Sequence, residues 1–217
     1  MDRYTRPDFE HAALLSIDVQ RDVLDGRFSF AGPSGLMPNL VRTVDAFRVM
    51  GHPIVHVVRL YLPDGSNADL CRRAAIDRGD GALLVGTPGS ELVDDLLPQG
   101  EVALDAHTML GGRFQHLTSN EVVMYKPRWG AFFGTRLLEH LRVREVTTIV
   151  VIGCNFPNCP RASIIEASER DLRVVAVADA LSRFTNRDAV EMQDIGVATM
   201  TSCDVAGQLG HALGQRV

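Results

Sequence analysis

Apolar and polar positions alternate along the 217 residues in two rhythms. Continuous apolar runs at 12–18 (AALLSID), 53–60 (PIVHVVRL), 121–125, 146–153 (VTTIVVIG), 173–178 (RVVAVA) and 197–200 are rich in β-branched residues. They predict six buried strands. Between them, spacings of three and four predict helices. The stretch 39–50 carries Leu40, Val44, Phe47 and Val49 and stops at Gly51; further helices are expected at 135–141, 160–171, 188–195 and 205–213. Strands buried on both faces and separated by helices require parallel pairing. The expected fold class is therefore α/β: a single domain, three layers α/β/α, Rossmann-like, around a mostly parallel six-stranded sheet. The stretch 62–120 breaks the rhythm. It is rich in Gly, Pro, Asp and Arg and too long for a structureless loop, so it predicts a lid or an elaboration over the site.

Composition narrows the class. Apolar residues make up 46% and charged residues 23%, as in folded soluble domains rather than disordered or fibrous chains. A net charge of -5 argues against a nucleic-acid partner. No apolar leader is visible at the start, and no apolar run nears the roughly 20 residues of a membrane span. Cys71, Cys154, Cys159 and Cys203 form no zinc pattern, so reduced thiols and a cytoplasmic location are expected. The glycine-rich stretch 81–89 lacks dinucleotide spacing and reads as loop; no cofactor is expected.

One basic residue out of 22 is lysine, Lys126, and it stands at the end of the third predicted strand. In a parallel sheet, ligands bind beyond the carboxyl ends of the strands. The first strand ends at Asp18, and the fourth runs into the loop 153–160, which contains Cys159 just before Pro160. An acid, the sole lysine and a cysteine thus share one rim. Proline is favoured in the first turn of a helix, which puts Cys159 near a helix N-terminus, where a thiol pKa is lowered. Asp18 is the expected proton acceptor and Lys126 the cation beside the thiolate. Each residue alone has a plainer reading: a small buried hydrophobe, a turn residue, a surface charge. The three together are more specific than any one of them.

Asp18-Val19-Gln20 after an apolar strand, Lys126-Pro-Arg-Trp-Gly-Ala-Phe-Phe-Gly-Thr, and Gly153 with a cysteine six residues later followed by Pro-Arg-Ala-Ser resemble the isochorismatase-like cysteine hydrolases. The resemblance spans about 12–213. It implies a catalytic triad of Asp18, Lys126 and Cys159, and a cis peptide at Cys154–Asn155. It also implies an oxyanion hole formed by the N–H groups of Asn155 and Cys159. The implied reaction is hydrolysis of a C–N bond in a small amide, ureido or carbamoyl substrate through a thioester. Two alternatives remain open: vinyl-ether hydrolysis of the isochorismatase type with no covalent intermediate, and a non-catalytic redox or scaffold domain. The chain departs from the family at Phe156 and Pro157, where Thr and Asn or Asp are common, and at Gly130, where Ser is common.

Further candidates are Gln20, Trp129, Phe156 and Arg161 for substrate binding. Arg161 has a competing reading as a surface pair with Glu166 or Glu169. The histidines by which nicotinamidases hold a metal have no counterpart after the second strand. Asp105, His107 and His116 are the nearest substitutes, and no metal is expected; His56, inside an apolar strand, reads as a core histidine. Exposed sheet edges and apolar helices predict a homo-oligomer, a dimer or tetramer.

Overall fold

Strands that are apolar on both faces need cover on both sides, and the fold supplies it. The computed structural model describes residues 2–24, 36–98 and 102–214. Seven strands form one sheet: β1 (Ala12–Ile17), β2 (Ile54–Val58), β3 (Gln115–His116), β4 (Glu121–Tyr125), β5 (Thr148–Gly153), β6 (Arg173–Leu181) and β7 (Ala198–Met200). Their order is β3-β4-β2-β1-β5-β6-β7, and every pair is parallel except β3 with β4. The six expected strands are present. The seventh, β3, is a two-residue polar edge strand inside the 62–120 stretch, too short to leave a periodic signal.

The helices are α1 (Arg21–Leu24), α2 (Leu36–Val49), α3 (Leu70–Asp77), α4 (Ala106–Leu110), α5 (Leu137–Arg142), α6 (Cys159–Ser168), α7 (Asn186–Asp194) and α8 (Ser202–Gly214). Successive β1 residues serve opposite layers. Ala12 and Leu14 join a core with Leu40, Val44 and Phe47 of α2 and Val205 and Leu209 of α8. Ala13, Leu15 and Ile17 join a second core with Leu137 and Leu141 of α5 and Ile164 and Ala167 of α6. This two-sided burial is why the strands read as unbroken apolar runs. α7 starts earlier than its apolar spacing suggests, because Thr185 and Asp188 form a reciprocal capping box.

The 62–120 stretch contains α3, two short 3-10 turns at Pro88–Ser90 and Asp94–Leu96, α4 and β3. Its residues 99–101 lie outside the described residues. No helix among the described residues is long and apolar enough to cross a membrane.

Candidate active site

Backbone pairing brings three strand ends together. The Asp18 N–H donates to Val57 O (2.9 Å), the Lys126 N–H to Val58 O (3.0 Å) and the Cys154 N–H to Ile17 O (2.9 Å). Asp18 has φ 52, a left-handed conformation that aspartate tolerates better than most side chains. There the chain leaves β1. Beyond β5 the loop turns into α6, with Asn158 at the N-cap, Cys159 as the first helical residue and Pro160 after it. The Cys154–Asn155 peptide is cis, where the family resemblance put it.

Lys126 spans the gap between the other two side chains. Its Nζ lies 3.0 Å from Asp18 Oδ2 and 3.2 Å from Cys159 Sγ. All three residues are buried, Lys126 completely. Burial alone would lower the Lys126 pKa, but the Asp18 carboxylate and the Cys159 sulfur hold it above the ordinary lysine value. Burial pushes the Cys159 thiol up to about 12, and Asp18 adds to this while Lys126 opposes it. This corrects the expectation of a lowered thiol pKa. Desolvation is the larger of the causes that raise it, and the neighbouring anion the second.

The triad opens into a cavity of about 100 Å³. Its floor is Asp18, Lys126, Cys154, Asn155, Asn158 and Cys159; its walls are Val23, Tyr61, Ile76, Leu83 and Trp129, with Arg59, Asp69, Arg72 and Arg128 between them. In the loop above β5, the N–H groups of Phe156, Asn158 and Arg161 are used by Ser182 O, Asn155 O and Phe156 O. Those of Asn155 and Cys159 take part in none of the backbone hydrogen bonds of turns, loops and caps among the described residues.

Two overlapping matches to the isochorismatase domain model, over residues 12–114 and 108–205, cover nearly all of the chain. It belongs to the isochorismatase domain family. A probable inactive nicotinamidase of Arabidopsis thaliana is 29% identical over 201 residues, with 89% of this chain and 93% of that protein covered. Nicotinamidase 3 of the same plant is 28% identical over 204 residues, covering 91% and 88%. Among solved structures, an isochorismatase family protein from Desulfovibrio vulgaris subsp. vulgaris str. Hildenborough superposes with TM-score 0.77. It is 30% identical, and 92% of this chain and 98% of that one are covered.

Not every expected residue of this isochorismatase domain reaches the cavity. Trp129 does. Gln20 does not: its amide is fully buried, donating to Arg59 O and Ser90 O and accepting from the Arg59 N–H, so it ties strand ends together. Phe156 turns away into the second core, edge-on to Phe184 at 4.6 Å. Arg161 is a surface pair, but with α7 instead of its own helix: it bonds Glu191 at 2.9 Å and approaches Asp188 at 3.8 Å. Glu166 instead accepts from the Phe132 N–H, and a side chain at Gly130 would collide with its carboxylate.

Asp105 caps α4 through the Thr108 N–H, and no cluster of three metal-ligating side chains occurs among the described residues. His56 lies in the core, its Nε2 2.8 Å from Glu121. The cavity residues with polar side chains that the sequence reading did not assign to the site are Arg59, Tyr61, Asp69, Arg72, Arg128, Cys154 and Asn158. Arg59 was findable, because it follows β2 at the same rim as Asp18 and Lys126. Asp69 and Arg72 lay in the stretch with no readable period.

Proposed function

We propose that this isochorismatase-family hydrolase cleaves the C–N bond of a small amide, ureido or carbamoyl compound through a thioester on Cys159. The observation that carries the reading is the buried bridge from Asp18 through Lys126 to Cys159. A carbonyl bound there has its oxygen on the N–H groups of Asn155 and Cys159. Sγ attacks the carbonyl carbon as its proton passes to Asp18, forming the C–S bond and a tetrahedral oxyanion. Lys126 stays protonated and offsets the negative charge that moves through the site. Collapse breaks the C–N bond, and the Asp18 proton leaves with the nitrogen as ammonia or an amine. Water, deprotonated by Asp18, then attacks the thioester; the C–S bond breaks, the acid is released and Sγ regains its proton. Burial raises the Cys159 pKa, so its proton is removed as Sγ attacks, which is the arrangement a general base serves.

Kinship alone does not decide activity, since relatives of nearly equal identity include a nicotinamidase and a probable inactive one. The decisive experiment is ammonia release from a panel of small amides, ureides and carbamoyl compounds, with intact-mass detection of the acyl-enzyme. Cys159→Ala is expected to abolish release while leaving the melting transition in place. Turnover that survived in this variant would rule out the covalent scheme.

A further inference from the structure

Arg59 follows β2 on the rim where Asp18 and Lys126 stand, and it is buried. A guanidinium out of water must have its charge and its N–H groups matched. Its two terminal nitrogens each make two hydrogen bonds. Nη1 donates to the Tyr125 hydroxyl at 2.8 Å and to Lys126 O at 2.9 Å. Nη2 donates to Asn67 O at 3.1 Å and to Asp69 Oδ2 at 3.2 Å, and that carboxylate oxygen also accepts from the Tyr61 hydroxyl. The guanidinium carbon lies 4.4 Å from the centre of the Tyr61 ring and 5.5 Å from that of Tyr125. The side chain lines the cavity, yet both terminal nitrogens are committed to the protein.

One of those commitments bears on the triad. β4 ends at Tyr125, and Lys126 continues the ladder by one bond, from its N–H to Val58 O. Its carbonyl accepts from Arg59 Nη1. The Lys126 backbone is therefore held on both sides by two consecutive residues, Val58 and Arg59. Arg59 is tied in turn to the strand end that carries Asp18. The Gln20 side chain, two residues past Asp18, accepts from the Arg59 N–H at 2.9 Å and donates to its carbonyl at 3.0 Å. A lysine side chain is a flexible four-carbon stem. Where Nζ falls between Asp18 Oδ2 and Cys159 Sγ thus depends on where the backbone starts it.

Resting on the hydrolase reading above, we infer that Arg59 is a positioning residue, which fixes the Lys126 backbone against the Asp18 strand end and so keeps Nζ within reach of both Asp18 and Cys159. Through Asn67 and Asp69 it also fastens this arrangement to the 62–120 stretch. Arg59 acts on the reaction through Lys126. Lys126 is the neighbour that favours the Cys159 thiolate, so a displaced Nζ leaves the thiol harder to ionise. A misplacement of about 1 Å costs on the order of 10²-fold in turnover.

The test uses Arg59→Lys, which keeps the positive charge but lacks the planar fork that spreads four acceptors over two nitrogens. Tyr125→Phe, an uncharged change that removes one partner of Nη1, carries the test if Arg59→Lys does not fold. Iodoacetamide labelling is followed against pH at the Cys159 peptide, because Cys71 and Cys203 are also free and exposed. Each variant is labelled below its melting transition. At about pH 9, labelling of Arg59→Lys is expected to slow about tenfold, equivalent to a thiol pKa higher by about one unit, and that of Tyr125→Phe about twofold. On any compound that the wild type hydrolyses, kcat should fall about 10- to 100-fold in Arg59→Lys while KM stays within about threefold. In a Lys126→Met background the Arg59→Lys substitution should no longer slow labelling. A residue that serves only the fold would lower the melting temperature and leave labelling of the folded protein at the wild-type rate. That result, or an equal slowing without Lys126, overturns the inference. Labelling needs no substrate, so the two readings fail separately. If the wild type hydrolyses nothing while the labelling depends on Arg59 through Lys126, the hydrolase reading alone is lost. If hydrolysis stands and both labelling and kcat ignore the substitution, the positioning role alone is lost.

Discussion

At the scale of single residues, the chemistry depends on how the Cys159 thiol is held. Burial disfavours the thiolate most, the Asp18 carboxylate disfavours it further, and Lys126 favours it. Replacing Asp18 by asparagine removes one of the two opposing influences and keeps the cation at hydrogen-bond distance. The thiol pKa of Asp18→Asn therefore falls below the wild-type value, and iodoacetamide labels Cys159 faster at neutral pH. Hydrolysis moves the other way, because the proton acceptor is gone: a loss of about 10²–10⁴-fold in kcat is expected. A merely structural Asp18 would slow both or neither, so measuring alkylation and turnover on the same variant separates the roles.

At the scale of elements, the site depends on how closely β5 can approach β1. Gly153 ends β5 opposite Ile17, with φ 122, and a Cβ there would lie 2.1 Å from the Ile17 carbonyl oxygen. The obstacle is backbone, which cannot swing aside as a side chain can. Gly153→Ala is accordingly expected to cost on the order of 4 kcal/mol, read as a shifted urea midpoint or as loss of soluble protein. A variant as stable as wild type would show that the strand ends have room to separate. The same geometry explains what the sequence made readable. Asp18, Lys126 and Cys159 each follow a strand whose apolar run marks its end, so strand endings placed these three residues at one rim without any coordinates. Side-chain direction in the loops left no such trace: Phe156 and Trp129 follow strands alike, yet one packs into the core and the other lines the cavity. Nor did α3, an eight-residue helix with adjacent arginines and one buried apolar residue, Ile76, which supplies Arg72 to the wall. A helix that short, covering a site instead of the core, has little apolar stripe to read.

At the scale of the whole molecule, one buried acid joins the sheet to its surroundings. Glu121 begins β4 and is almost fully buried. Its carboxylate receives Arg48 from α2 at 2.6 and 3.0 Å and meets His56 of β2 at 2.8 Å. Arg48 in turn bonds Leu96 O in the 62–120 elaboration, so helix layer, sheet and elaboration meet at one charge. Burial alone would raise the Glu121 pKa, but the hydrogen bonds and charges of His56 and Arg48 prevail and depress it from 4.5 to about 2. The sign follows. A carboxylate whose folded pKa is depressed adds stability at every pH above its unfolded value, and that contribution is lost as pH falls from about 4.5 through about 2. The depression corresponds to roughly 3 kcal/mol. Urea unfolding of the wild type should therefore weaken across this window, while Glu121→Gln, less stable at neutral pH, should change less there, the two converging toward its acid end. A wild-type-minus-variant difference that stayed constant through the window would mean that the charge on Glu121 is not what joins the layers. The network would then act by packing alone.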